Sequence, residues 1–391
     1  MNHAPLQLPR DAVLPDYFER GLYPLAHGIQ SWLAGQQVRP PFAERDTRVL
    51  VLLVIDGLGD ALLHRFAEPR RSSLLAHRTG RITSVLPSTT ASAVTSLLTG
   101  LAPATHGLTG WHIHDRRFGG VIAPLPMQRR GGGRLRAPFL LQRLFPYARN
   151  GARPRLPTTM VSPQDIAHSP FSRRHARGAG VRPYRGLDQL AGCVEDEVRR
   201  LRDTGGLVHA YYASFDAICH HYGCHSPQAR DCFQRVDDCF SALLARLKGT
   251  GAELILTADH GFIDAPDEKR LRLERHPALQ SMLAAPLFGE RRLAFSLARA
   301  GAEPEIAAYA RDHFGGKLVL VPSEHLVRAG LLGPGPAHRR LAERVGSHAW
   351  LMEPGWTVSD RVVGEVPPTM IGVHGGMTAD EMWVPLIQAS C

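Results

Sequence analysis

Val49-Leu50-Val51-Leu52-Leu53-Val54-Ile55-Asp56-Gly57 is the stretch on which the reading of this chain turns. An uninterrupted apolar run of this length, with four β-branched residues, fits a strand buried on both faces, as in a sheet with helices packed on each side. The run ends at an aspartate. Two further apolar runs end the same way: Ala210-Tyr211-Tyr212-Ala213-Ser214-Phe215 before Asp216, and Leu254-Ile255-Leu256-Thr257-Ala258 before Asp259. In a parallel α/β sheet the carboxyl ends of the strands form one edge, so residues far apart in sequence meet in a single crevice. Three carboxylates at that edge suggest a metal site.

Outward from the first strand, predicted over 48–55, Gly57-Leu58-Gly59-Asp60 turns the chain into a helix. A second unit begins at 81–86, passes through Pro87-Ser88-Thr89-Thr90 and continues as a helix to Thr99, with Ser88 or Thr89 as its cap and Gly100 as its stop. Helical spacing returns over 187–202, where Leu187, Leu190, Val194, Val198 and Leu201 share a face. A strand is expected over 207–215, then a histidine-rich loop, then a long helix opened by Ser226-Pro227 and reaching Leu247, then a strand over 253–258. This alternation predicts an α/β fold: a doubly wound, mostly parallel central sheet with helices on both faces and inserted segments. The pattern weakens over 265–367, read as a second α/β subdomain region within one catalytic domain spanning 1–391.

A chain of 391 residues with 44% hydrophobic content can bury a large core. No apolar stretch approaches the roughly 20 residues of a membrane span, and residues 1–5 carry no basic region leading into a hydrophobic segment, so a cytoplasmic protein with no membrane partner is expected. The six cysteines lack Cys-x-x-Cys spacing and are read as reduced thiols. The formal charge of +10 is concentrated: residues 116–186 hold fifteen arginines and no lysine against the single carboxylate Asp165, which leaves the rest of the chain net acidic. Glycines 131–133 and several prolines break up this region, so 111–186 is expected to be a basic, loop-rich insertion and a candidate cap. Beside a catalytic edge it would attract a phosphate-rich substrate or a nucleic acid.

Carboxylate oxygen and imidazole nitrogen together suit zinc and similar divalent ions. Histidines do stand near the aspartates: His220 four residues after Asp216, His260 directly after Asp259, and His374 between glycines in Gly372-Val373-His374-Gly375-Gly376. Thr90, in the first turn of its helix, adds a hydroxyl beside unpaired backbone amides and the positive helix end, a place that stabilises a phosphoryl anion. A coordinated metal would lower that hydroxyl's pKa and make it a nucleophile.

Taken in order, Val54-Ile55-Asp56-Gly57, Pro87-Ser88-Thr89-Thr90 leading to Ser96-Leu97-Leu98-Thr99-Gly100, the stretch from Asp216 to His220, Thr257-Ala258-Asp259-His260-Gly261 and His374-Gly375 resemble the type I phosphodiesterase/nucleotide pyrophosphatase family of the alkaline phosphatase superfamily. The resemblance implies an alkaline-phosphatase-like fold and two divalent metal ions, zinc first and manganese second. One would be held by Asp56, Thr90, Asp259 and His260, the other by Asp216, His220 and His374. It implies in-line attack by Thr90 on phosphorus, a phosphothreonine intermediate, and a small phosphate-ester substrate such as a nucleotide.

The chain departs from the family at one point. Diesterase members often carry an asparagine after a His-Gly-hydrophobic motif, where it binds a phosphoryl oxygen. Here His106-Gly107-Leu108-Thr109-Gly110 is followed by Trp111. Monoester, phosphonate or phosphomutase chemistry on the same fold therefore stands beside diester hydrolysis, and a nucleic-acid-binding protein with a degenerate site stands behind both. His112 and His114, and His221 and His225, are further histidines whose metal ligation the sequence leaves open.

Overall fold

All seven residues of the Val49–Ile55 strand are buried, and it forms the middle of a seven-stranded sheet. The structure is a computed structural model that describes residues 6–36, 47–146, 154–176, 178–365 and 369–391. Residues 1–5, Arg149, Arg153 and Arg177 of the basic segment and Pro367 lie outside the described residues. Gly206–Tyr212 and Glu253–Thr257 flank the central strand, both parallel to it. Thr158–Pro163 and then Gly180–Tyr184 extend one side in parallel. Trp383–Ser390 and then Arg78–Thr83 extend the other.

The sheet is mixed. Trp383–Ser390 is antiparallel to both of its neighbours, so one strand opposes the other six. Sequence pattern gave no hint of it, because Pro385 and Gln388 interrupt its apolar run and proline is unusual inside a sheet. Here the ladder absorbs the irregularity as a register shift at Leu386/Ile387. Since the other six strands share a direction, the chain leaves Val49–Ile55, Arg78–Thr83, Gly206–Tyr212 and Glu253–Thr257 at the same edge.

Helices cover the sheet in pairs: Leu22–Leu33 packs on Thr90–Thr99, and Gly186–Leu201 on Pro227–Leu247. The Ser226 hydroxyl accepts the Ala229 amide at 3.1 Å and caps the last of these. The expected histidine-rich loop is instead a helix, Ser214–Tyr222. Its apolar residues Phe215 and Cys219 are buried one turn apart, which places Asp216 and His220 together on the adjoining face.

The 265–367 region contains a four-stranded antiparallel sheet of Phe288–Gly289, Leu293–Ser296, His348–Met352 and Leu318–Pro322. Trp350, Phe314 and Ile306 belong to a hydrophobic cluster of its own. The basic segment adds a small sheet of Ile113–Asp115, Gly120–Ala123 and Gln128–Arg129. A few of its arginines meet carboxylates: Arg117 with Asp115 at 2.6 Å, Arg130 with Asp360 at 2.6 Å and Glu365 at 3.1 Å, Arg182 with Asp196 at 3.3 Å. Among the described residues no helix is long and apolar enough to cross a membrane.

Candidate metal centre

Each aspartate reaches the common edge by a different local route. Asp56 follows its strand directly, and its amide donates to the Tyr212 carbonyl at 2.9 Å, extending the ladder by one bond. The chain then turns sharply at Gly57, whose φ of +76° suits glycine and where a Cβ would lie 2.4 Å from the Phe262 ring. That turn aims the Gly57 amide at Asp259 Oδ1, 3.0 Å away, while the His260 amide holds the same oxygen at 3.1 Å. Tyr211 donates its hydroxyl to Asp56 Oδ2. Asp216 arrives on the first turn of Ser214–Tyr222.

One oxygen of each aspartate is left over. Asp56 Oδ1, Asp216 Oδ1 and Asp259 Oδ2 are buried and accept no hydrogen bond. Buried carboxylate oxygens without a partner are costly, so native proteins seldom keep them except where an ion or ligand completes them.

The histidines supply matching lone pairs. His260 Nδ1 faces the Gly261 carbonyl at 3.1 Å, His220 Nδ1 the Gly372 carbonyl at 2.8 Å, and His374 Nδ1 the Ser88 carbonyl at 3.2 Å. A carbonyl only accepts, so each Nδ1 carries the proton and each neutral Nε2 presents a bare lone pair, the arrangement that metal-ligating histidines favour. His260 Nε2 lies 3.3 Å from Asp56 Oδ1, 3.5 Å from Asp259 Oδ2 and 3.2 Å from Thr90 Oγ1. His220 Nε2 and His374 Nε2 stand 3.2 Å apart, with Asp216 Oδ1 at 3.4 Å and 3.7 Å from them. Gly372 is needed for this packing, since a Cβ there would sit 2.4 Å from the Cys219 carbonyl oxygen.

All seven residues singled out in the sequence therefore converge. Asp216 stands between the two sets, because its Oδ1 is also 3.9 Å from His260 Nε2. Two trios, Asp216 with His220 and His374, and Asp56 with Asp216 and His260, have the spacing of metal ligands. Burial pushes Asp56 up to about 6 and Asp259 up to about 7, with the neighbouring Asp56 adding to the latter. Asp216 is held well above the carboxylate range by burial and then by Asp56 and Asp259. Burial lowers His220 to about 4 and holds His374 well below its ordinary value. A divalent cation would reverse the rise in the three carboxyls and reinforce the neutral state of the imidazoles, so the donor set fits one.

Thr90 opens the Thr90–Thr99 helix, and it alone among that helix's residues is not buried. The neighbouring hydroxyls do not cap: Ser88 donates to the Gly376 carbonyl at 2.8 Å, and Thr89 donates to Glu290 Oε1 at 2.6 Å. The other histidines go elsewhere. His114 Nδ1 is 3.5 Å from Glu343, the His112 backbone pairs with Gly289, and His221 is exposed against Tyr222. His225 joins Cys224 and Asp264 in a separate trio, where Asp264 already accepts the Cys224 amide at 2.7 Å. Cys219 is buried with its thiol pushed up by burial, and it belongs to neither trio.

Sequence reading missed Glu290 and Tyr211. Glu290 Oε1 accepts the Trp111 amide at 2.6 Å as well as the Thr89 hydroxyl, and burial raises its carboxyl to about 7. Nothing near Glu290 in sequence marks it, since the second sheet brings it in. Tyr211 had a signal, because consecutive strand residues face opposite sides and one of Tyr211 and Tyr212 has to face the Asp56 side. The site opens into a cavity of about 820 Å³ lined by Thr90, Asp216, His220, His374, Glu290 and Trp111 together with residues of the basic segment and the second sheet.

An α/β sheet that gathers orphaned carboxylates, bare imidazole nitrogens and a helix-terminal hydroxyl at its carboxyl edge defines a metal-dependent hydrolase. The family model of type I phosphodiesterase/nucleotide pyrophosphatase matches residues 50–130 and 151–377, and the chain belongs to that family, whose members are metal-dependent phosphodiesterase and pyrophosphatase hydrolases. Among solved structures, murine ectonucleotide pyrophosphatase/phosphodiesterase 5 is similar at 18% identity and a TM-score of 0.60, over 87% of each chain. An inactive threonine-to-alanine variant of that protein in complex with AMP matches equally. Phosphonoacetate hydrolase from Sinorhizobium meliloti 1021, in complex with phosphonoacetate, is similar at 18% identity and a TM-score of 0.61, over 88% of this chain and 90% of that one. No curated protein matches by sequence.

Proposed function

We propose that this enzyme hydrolyses phosphoric diesters or nucleotide pyrophosphates through a covalent intermediate on Thr90. The carrying observation is the meeting of three orphaned aspartate oxygens and three bare histidine nitrogens around the part-buried Thr90 hydroxyl. Asp56, Asp259, His260 and Thr90 would hold one divalent ion and Asp216, His220 and His374 the other, with Asp216 adjoining both sets. Mixed oxygen and nitrogen donors suit zinc, with manganese as the second choice. The ions would supply Lewis acidity, lowering the Thr90 hydroxyl pKa and balancing charge on the phosphoryl and leaving oxygens.

Thr90 Oγ1 loses its proton and forms a bond to phosphorus while the ester or anhydride oxygen on the opposite side departs. Water then attacks the phosphothreonine, breaks the bond to Oγ1 and restores the hydroxyl. The first-turn amides of the Thr90–Thr99 helix face the phosphoryl oxygens. The inactive threonine variant of the murine relative supports a threonine at the centre of the chemistry. Phosphonate hydrolysis is the second reading, favoured by the likeness to phosphonoacetate hydrolase and by Trp111 at the asparagine position. Arg129 and Arg130 on the cavity wall support a cap role for the basic segment, and six free cysteines fit a reducing, cytoplasmic compartment.

Replacing Thr90 with alanine and assaying bis-p-nitrophenyl phosphate, p-nitrophenyl phosphate and phosphonoacetate tests this reading. Turnover falls on the order of 10³-fold or more on every substrate the wild type accepts. Full activity in the variant would sink the covalent mechanism, and the preferred substrate separates the two readings.

A further inference from the structure

One cluster of metal-ligating side chains stands apart from the site above. Cys224 Sγ, a His225 ring nitrogen and an Asp264 carboxylate oxygen all lie within 4.8 Å of one another. None of the three lines the cavity over Thr90. A thiolate and an imidazole with one carboxylate oxygen suit zinc-like divalent ions, whereas magnesium and calcium take oxygen donors. A tetrahedral zinc with bonds of about 2.0–2.3 Å sets its ligands roughly 3.3–3.8 Å apart, so the trio has little distance to close. His225 is exposed and can turn inward toward Cys224, which is fully buried.

The backbone around the cluster is held by bonds that leave the donors available. The Ser214–Tyr222 helix stops at Gly223, whose φ of +91° suits glycine and where a Cβ would lie 3.2 Å from both Asp264 oxygens. The Ser226 hydroxyl donates to the Gly223 carbonyl at 2.8 Å and closes the turn that carries Cys224 and His225. Asp264 Oδ1 accepts the Cys224 amide at 2.7 Å, and a carboxylate has lone pairs to spare, so this bond orients Asp264 without consuming it. Burial and then the Asp264 charge push the Cys224 thiol up, so it keeps its proton until an ion displaces it.

Three segments meet here, and each leads to candidate ligands of the catalytic centre. The helix that ends at Gly223 bears Asp216 and His220. Ile263–Asp264 follows the loop of Asp259 and His260 and pairs with Gly372–Val373, next to His374. The Gly372 carbonyl in turn holds His220 Nδ1 at 2.8 Å.

The geometry points to a separate structural site for a zinc-like divalent ion, made by Cys224, His225 and Asp264 with water in the fourth position, which ties these three segments together. As the bond from Sγ to the ion forms, the thiol proton leaves to solvent.

Cobalt(II) titration of the chelator-treated, reduced full-length protein tests it. A thiolate ligand gives cobalt an intense near-ultraviolet charge-transfer band, and the catalytic donors are all nitrogen and oxygen. The wild type is expected to show the band and to lose it when zinc is added. Cys224→Ser lacks the band, Asp259→Asn keeps it, and His225→Ala binds the band-forming cobalt about tenfold or more weakly, the least that losing even an outer partner of a metal ligand costs. No band at saturating cobalt, a full band in Cys224→Ser, or unchanged affinity in His225→Ala overturns the site. His225 is on the surface, so its variant decides the matter if Cys224→Ser does not fold. A band in a protein that cleaves no phosphoester removes the hydrolase reading and leaves this site standing, and turnover without a band does the opposite.

Discussion

Two buried charge clusters lie side by side at the carboxyl edge of the sheet, and they are built on opposite rules. Arg292 and Glu381 are fully buried and complete: Arg292 Nε and Nη2 donate to the two Glu381 oxygens at 3.0 Å and 2.9 Å, and the Thr378 hydroxyl and Gly376 amide supply 2.7 Å and 2.8 Å bonds. Burial alone would raise Glu381, yet Arg292 and these donors hold it below the usual carboxylate range. The aspartate cluster nearby has no arginine or lysine partner among the described residues, keeps one orphaned oxygen on each member, and has its carboxyls raised. A closed cluster holds the structure together, whereas an open one is shaped for something that comes from outside. The closed pair also positions the open site. Arg292 is anchored to Glu381, whose carbonyl accepts the Gly261 amide at 2.8 Å, so the Glu290–Arg291 turn is tied to the loop bearing Asp259 and His260.

Substitution in the open cluster should strike chemistry. Asp259→Asn keeps the shape, removes a charged donor, and is expected to lower turnover on the order of 10³-fold, since the Lewis-acid contribution is several kcal/mol. Metal content per chain, measured by elemental analysis, should fall with it; unchanged metal content and turnover would make the cluster merely structural. Substitution in the closed cluster should strike folding. Glu381→Gln leaves Arg292 buried without its counter-charge and is expected to cost about 3–5 kcal/mol of stability by urea denaturation. A loss under 1 kcal/mol would break the contrast.

The smallest effect is in pH dependence, where the two clusters have opposite signs. In chelator-treated protein, Asp56 and Asp259 are raised from 3.8 to about 6 and about 7, so the stability they contribute is full below 3.8 and is lost as pH rises through those values. Glu381 is lowered from 4.5, and Asp115, between Arg117 and Arg344, is lowered from 3.8 to about 2 against the pull of burial. Their contribution is present above those unfolded values and is lost as pH falls through the folded ones. Melting temperature across pH 4 to 7 is expected to decline less in Asp56→Asn than in wild type after chelation, and saturating zinc should remove the difference. Parallel curves in the chelated proteins would contradict the raised carboxyls.

Much of this was legible because it rests on local rules. Seven apolar residues before Asp56 read as a doubly buried strand and are one. Ser226-Pro227 opens its helix, and Gly100, at φ +68°, ends the Thr90 helix as expected. The stretch after Phe215 read as a loop because its histidines obscured the helical pairing of Phe215 with Cys219 and Asp216 with His220. The reversed strand Trp383–Ser390 escaped notice because Pro385 weakens its signal, and ladder bonds to strands far back in the chain hold it in place.

The sequence by itself determined the order of the candidate donors, the buried strand that runs into Asp56 and the hydroxyl that opens a helix, since apolar period and turn chemistry act over a few residues. Only the tertiary structure decided that Asp216 stands between two sets of candidate ligands, that Glu290 approaches Thr89 from 201 residues away, and that Arg130 of the basic segment meets Asp360 and Glu365. These depend on through-space distances of a few ångströms between segments that share no local pattern. Charge and lone-pair direction act across that gap, and residue spacing along the chain does not encode them.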